Sequence, residues 1–444
     1  MEVRERVSFK ELFGWCMFDF ANSSYTTVII TVIFGDIFSK IIVPAGDDPT
    51  NPNRYGNILW ALALGISYVI VSLTGPLFGA IMDYSARKKQ FLFGSYIICI
   101  VSTACFYFSA NPGDIWLAFA MIIVSNFAFA SGENFTSSFL PYLGPEKDLG
   151  KISAYAWGIG YFGGLASVIL VSTLGDITAE NFQNLRWVGP YTALFFLIAG
   201  IPTFLFLKEY SVGTKKPDGI SYFQISIQRV TTTLRDVTQF KDLMIYLIGL
   251  FFAMASIAVI IGFAFIYGSQ EIKIENIHRQ AMFVILQFTA AFGAVLFGFI
   301  QDRWGALKTF NLTLVIWIIS IIAIFGVKPI TAVVNSMGIG ITVQWMFVII
   351  TSIAGMGLGA TQSSSRAIVA VFAPESKIGE FFGLWGISGK VAAATGLFSL
   401  AILQSFLSFR DSFLVLALFF VAALIINMKV NEQRGIETAR NYKE

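Results

Sequence analysis

Of 444 residues, 56% are hydrophobic and only 13% charged, the net charge is +3, and the mean hydropathy is +0.72. A soluble chain carries about a quarter charged residues, so much of this surface must face lipid, and no stretch is left for a soluble catalytic or nucleic-acid-binding domain. Three cysteines inside apolar segments (Cys16, Cys99, Cys105) and a single histidine (His278) in a polar loop argue against a disulfide framework and a metal cluster, and no cofactor is expected.

Apolar stretches of about 20 residues, enough to cross a bilayer, fall at 12–40, 57–82, 90–109, 115–140, 152–174 and 188–207 in the first half. A second set follows at 243–268, 280–300, 309–327, 340–365, 381–404 and 412–428. The expectation is an all-α membrane protein of twelve transmembrane helices in two six-helix bundles. The first apolar run is too long for a signal-peptide core and lacks a cleavage pattern. With both termini inside, 22 of the 30 Lys and Arg lie on the cytoplasmic side and seven on the other, so the positive-inside rule predicts cytoplasmic termini. Outer loops such as Asp47–Asn53 are too short for a folded domain. The division expected is 1–207 for the first bundle, 208–242 for a cytoplasmic linker, and 243–444 for the second bundle and tail. Within the linker Gly213, Pro217 and Gly219 read as a loop. Beyond them Phe223, Ile227, Val230, Leu234 and Val237 follow helical spacing, which predicts a short amphipathic surface helix.

The two sets of helices repeat each other. Gly79-Ala80-Ile81-Met82-Asp83, followed by Arg87 and Lys88, recurs 219 residues later as Gly298-Phe299-Ile300-Gln301-Asp302, followed by Arg303 and Lys308. In both, a glycine lets two helices approach and an aspartate four residues on can cap or pair at the membrane surface. Pro145-Glu146-Lys147-Asp148-Leu149-Gly150 recurs as Pro374-Glu375-Ser376-Lys377-Ile378-Gly379, and Trp157-Gly158-Ile159 as Trp385-Gly386-Ile387. Self-similarity at this period in an apolar chain marks a transporter of two related halves. Gly79, Asp83, Arg87, Lys88, Gly298, Asp302 and Arg303 are the expected gating residues. Glycines in the fifth and eleventh helices suit two bundles that rock on each other.

Charge inside lipid costs roughly 2.5–3.5 kcal/mol per residue on insertion scales, so each such charge needs a reason. Trp15, Asp19, Asn22 and Thr26 form one stripe of the first helix, and Asn126, Glu133 and Ser137, with Asn134 beside them, form another on the fourth. Gln362 and Arg366 lie one turn apart near the inner end of the tenth helix, and Lys390 lies near the middle of the eleventh. Two acids in one half thus face two bases in the other. Asp19, Asn22, Glu133, Asn134, Gln362, Arg366 and Lys390 are the candidates for solute binding, proton coupling or gating. Snorkelling to the headgroups is the alternative for Arg366 and Asp19, and Lys390 is too deep for it. The partner of Lys390 is left between Asp19, Glu133 and a solute carboxylate. Glu133 is read either as a proton carrier or as a gate partner of Arg366.

The loop motifs at Asp83 and Asp302 resemble those of the major facilitator superfamily. Trp15 with Phe18-Asp19-Phe20-Ala21-Asn22-Ser23 resembles the first-helix motif of the vacuole-effluxer-like branch, which includes autophagy amino-acid effluxers. Ser138-Phe139-Leu140-Pro141, Gln362-Ser363-Ser364-Ser365-Arg366 and Ser388-Gly389-Lys390 extend the resemblance along the chain. Phe18 and Trp385 are small departures that could alter the cavity lining. The resemblance implies a secondary active transporter, not an enzyme, that moves a small polar solute by alternating access. Amino acids are the solute class it suggests, with protons as the coupling ion. A monomer among membrane lipids, with no nucleic-acid partner, in a bacterial plasma membrane, is the expected setting. The alternatives are a non-transporting sensor or scaffold of the same fold, and a transporter of sugars, peptides or organic acids.

Overall fold

The computed structural model describes residues 6–44, 54–111, 113–210, 219–235, 239–404 and 407–442. Among them, twelve helices are long and apolar enough to cross a membrane, and no strand occurs. In chain order they are α1 (Phe9–Ile42), α2 (Ile58–Ser85), α3 (Lys88–Phe108), α4 (Ile115–Tyr142), α5 (Glu146–Ser172) and α6 (Phe182–Phe206). The second set is α7 (Lys241–Phe265), α8 (Ile277–Trp304), α9 (Ala306–Phe325), α10 (Val343–Phe372), α11 (Glu375–Leu400) and α12 (Arg410–Asn427). Twelve crossings return the chain to the face where it began, called here the terminal face.

Packing repeats with a period of six helices. In the first bundle α1 packs on α5 and α6, α4 on α2 and α3, and α3 on α6. In the second α7 packs on α11 and α12, α10 on α8 and α9, and α9 on α12. The bundles meet chiefly along α2–α11, α5–α8 and α5–α10.

Where the elements depart from the expected ones, polar partners explain most of the difference. Helix α10 continues past 365 to Phe372, because Arg366 is paired inside the protein rather than ending the span. Helix α1 widens to π winding at Tyr25–Val32 and Phe38–Ile42, around a break at Ile33. The linker helix forms at Tyr222–Arg235, with Phe223 and Ile227 exposed and Ile225 buried against the bundle. Val237, Gly213, Pro217 and the Asp47–Asn53 loop lie outside the described residues. A helix at Val327–Ser336, not expected from the sequence, lies on the far face with Val333 exposed.

The tail is also helical, at Glu432–Asn441. Its start is fixed by Asp242 at the base of α7, which accepts from Arg434 Nε at 2.6 Å, from Arg434 Nη2 at 2.8 Å and from the Asn431 N–H at 2.7 Å. The Glu432 carboxylate accepts from the N–H groups of Ala306 at 2.6 Å and Leu307 at 3.3 Å, capping α9. Burial pushes that carboxyl up, while the two N–H groups pull it the other way. The turn between α8 and α9 is made by Gly305 at φ +98°, a left-handed conformation that favours glycine.

Candidate functional site

At the terminal face, two related caps close the bundles against each other. Asp83, at the end of α2, accepts from the N–H groups of Gly379 at 2.7 Å and Glu380 at 3.4 Å, where α11 begins. A helix N-terminus presents unsatisfied N–H groups, which a carboxylate satisfies well. Asp302, at the end of α8, takes the matching place at α5. It faces the start of that helix beside Gly150 and lies 3.2 Å from Lys151 Nζ. The glycines make this approach possible. A Cβ on Gly79 would collide with the carbonyl of Gly379, and one on Gly298 with Ala154.

The basic residues divide differently from the sequence expectation. The cation on Asp83 is Lys88, buried, at 2.9 Å, and it also donates to Tyr142 Oη at 3.4 Å. Arg87 is exposed at the start of the α3 helix. The cation on Asp302 is Lys151 of the opposite bundle, while Arg303 is exposed. Lys151 was missed, although its place after the repeated Asp148-Leu149-Gly150 could have signalled it.

Deeper in the membrane, both acids of the first bundle pair with both bases of the second. Asp19 Oδ2 accepts from Arg366 Nη2 at 2.6 Å, and Glu133 Oε2 accepts from Lys390 Nζ at 3.2 Å. Arg366 therefore neither snorkels nor pairs with Glu133; the pairing is the other way round. Its guanidinium lies 5.0 Å from the Trp15 ring and 5.2 Å from the Trp157 ring, and its Nε donates to Ser153 Oγ at 3.3 Å. Trp15 is fixed in turn by Nε1 donating to the Thr136 carbonyl of α4 at 2.8 Å. Lys390 Nζ lies 5.2 Å from the Tyr68 ring.

The remaining candidates separate. Asn134 is buried, with neither amide atom bonded to a protein partner, and it packs against Gly386 of α11. Asn22 is buried with an unpartnered Oδ1. Gln362 is half-buried, and its main-chain carbonyl accepts from Ser365 Oγ at 3.0 Å. Asn126 bonds Ser67 within the first bundle at 2.5 Å and is no part of this group. Phe18 packs edge-on to Phe196 and Trp385 edge-on to Phe382, both buried, so neither departure lines an open cavity. Tyr68, Ser153 and Trp157 were not foreseen as partners of the charges, because nothing in spacing along one helix reports what a second helix brings.

Along the α2–α11 seam the glycines differ in what surrounds them. Near the terminal face, Gly79 meets Gly379, and a Cβ on Gly383 would lie 2.7 Å from the Pro76 nitrogen. Further out, a Cβ on Gly65 or on Gly389 would meet nothing within 4 Å. The two helices are in backbone contact near the terminal face, and Gly65 and Gly389 have open space beside them. The bundles are in close contact at the terminal face, and Lys390 and Glu133 keep 19% and 23% of their side chains exposed.

Two bundles related by a six-helix repeat, capped reciprocally at one face and charged at their centre, define a transporter of the major facilitator superfamily. Solved structures agree on the fold. The chain is similar to the proton:xylose symporter XylE, at a TM-score of 0.70 and 12% identity over 96% of each chain. It is also similar to the transporter FucP in an outward conformation, at 0.70 and 11%, covering 95% of this chain and 98% of that one. Residues 59–440 match the family described as vacuole effluxer Atg22 like, and the chain belongs to that family. Among its relatives are the uncharacterized MFS-type transporter YxiO of Bacillus subtilis, 24% identical over 97% of both chains. Another is autophagy-related protein 22 of Pichia angusta, 22% identical over 97% of this chain and 93% of the relative.

The caps carry a first prediction. Asp83→Asn keeps an oxygen acceptor but leaves Lys88 without its countercharge and weakens the hold on the α11 N-terminus. Transport should slow and the population should shift towards opening at the terminal face, while solute affinity changes little. Initial rates against solute concentration in reconstituted vesicles check this; normal turnover with a large loss of affinity would contradict it.

Proposed function

We propose that this protein moves a small polar solute, with amino acids the first class to test, by alternating access and in company with protons. The observation that carries the reading is the pairing of Asp19 with Arg366 and of Glu133 with Lys390, both across the bundle boundary and both at membrane depth. Such pairs hold when the terminal face is closed and must part, or exchange partners, when it opens. They therefore bias a two-state equilibrium that solute and protons can shift. Glu133 is the proposed proton carrier, with Asp19 second. We further propose that 1–207 and 243–444 move as the two bodies joined by 208–242, and that the protein acts as a monomer among membrane lipids. We propose that both termini are cytoplasmic, on the strength of the basic residues gathered on that side, and that the membrane is a bacterial plasma membrane.

The test is site-directed accessibility. In a chain whose Cys16, Cys99 and Cys105 are replaced, Gly389→Cys should react with a membrane-impermeant maleimide offered at the far face. The same cysteine should become protected when Asp83→Asn shifts the molecule towards opening at the other face. Equal reactivity in both backgrounds would sink the alternating-access reading.

A further inference from the structure

The two buried pairs look alike in sequence, yet the structure builds them for different work. In the Asp19–Arg366 pair, the arginine side chain is 2% exposed and the aspartate 13%. The guanidinium lies 5.0 Å from the Trp15 ring and 5.2 Å from the Trp157 ring, Nη2 is bonded to Asp19, and Nε is bonded to Ser153. Arg366 lies about 9 Å from the terminal-face end of α10, at 1.5 Å per residue over six residues. At 2% exposure it offers a solute almost no surface.

The Glu133–Lys390 pair is looser and higher. It is a single contact at 3.2 Å, with the lysine 19% and the acid 23% exposed. Lys390 begins twelve residues into the helix that starts at Ile378, about 18 Å from that face at the same rise. This is one residue beyond Gly389, which has open space beside it. An ammonium has three donors, and Glu133 takes one; the Tyr68 ring supports the charge without using a donor. A lysine also changes partners readily, as a flexible point charge without the fixed fork of arginine. Next to Glu133 in sequence, and against Gly386 one turn below Lys390, lies Asn134, buried, with donor and acceptor both lacking a protein partner.

We infer that Glu133, Lys390, Asn134 and Tyr68 form the solute site, that it takes a carboxylate on Lys390, and that Asp19–Arg366 is a lock which the solute does not touch. The inference rests on the transport reading above and deepens it. Two acids and two bases make the buried group neutral. A carboxylate that displaces Glu133 from Lys390 therefore enters neutrally only if its own ammonium meets Glu133 or a proton neutralises it. A dianionic phosphate would leave charge uncompensated in the membrane. The site thus selects carboxylate monoanions and zwitterions over sugars, amines and phosphates.

The test uses the twenty L-amino acids, each offered singly to the purified protein in a thermal-shift assay, with propionate, glucose, inorganic phosphate and the carboxamide of every hit. Hits are expected among carboxylates, and conversion to the amide should weaken binding by ~10-fold or more, the loss of a charge-assisted contact. Lys390→Ala should abolish the shifts. Glu133→Gln/Lys390→Met removes both charges, leaves none uncompensated, and should fold with no response to the hits. Asp19→Asn/Arg366→Gln should keep the shifts within ~3-fold of the original affinity, less than one charge-assisted hydrogen bond. Equal binding of acid and amide, shifts that survive in both Lys390 variants, or no shift from any carboxylate would each overturn the inference. Accessibility at Gly389→Cys would still decide alternating access independently. A hit that binds through Lys390 and is never transported would instead leave the site standing and remove the transport reading.

Discussion

Glu133→Gln protein, reconstituted in vesicles, is expected to lose pH-gradient-driven accumulation of solute while solute counterflow continues. Glutamine imitates the protonated acid, so the cycle can run with bound solute in both directions but carries no proton. The groups facing Glu133 are few: Lys390 directly, Tyr68 beside that lysine, and the Asp19–Arg366 pair within electrostatic reach. With Glu133 neutral, Lys390 is permanently released, and binding of a carboxylate that carries no ammonium should tighten and lose its pH dependence. A gate without proton transport behaves otherwise, with accumulation and counterflow falling together or the protein trapped in one facing state. Full pH-driven accumulation by the variant would remove Glu133 as the carrier and pass the role to Asp19.

Removing one member of the tighter pair should cost the most stability of any single charge change in the molecule. Arg366→Ala leaves Asp19 buried beside two indoles with no countercharge, and breaking a buried pair in this way costs about 3–5 kcal/mol. Arg366→Lys should recover little, because an ammonium lacks the planar fork that reaches Asp19 and Ser153 from separate nitrogens beside Trp15 and Trp157. Asp19→Asn/Arg366→Gln should recover most of the loss, since it removes both charges and keeps hydrogen-bonding groups. The midpoint of thermal unfolding in detergent, measured for the three variants, checks the order. An unchanged midpoint for Arg366→Ala would refute it.

Much of this architecture is legible in the residues alone, because lipid leaves a chain few options. Apolar runs of spanning length mark the twelve helices, since a backbone in hydrocarbon must satisfy its hydrogen bonds within each segment. The repeat of Gly79–Asp83 at Gly298–Asp302 marks the two halves, because the same cap is built twice. Charges such as Asp19, Glu133, Arg366 and Lys390 announce themselves by their cost in lipid. A helix stripe cannot tell what lies opposite it, so only the tertiary structure decides which acid takes which base. Arg366 meets Asp19 because the α1–α5 and α10 surfaces bring Trp15, Ser153 and Trp157 around it. Lys390 is left to Glu133 beside an empty-handed Asn134. The same reason explains Lys88 in place of Arg87, Lys151 in place of Arg303, and the capping of α9 by Glu432 from the tail. Periodicity determines which residues face inward, and the register of helices distant in sequence determines what they touch.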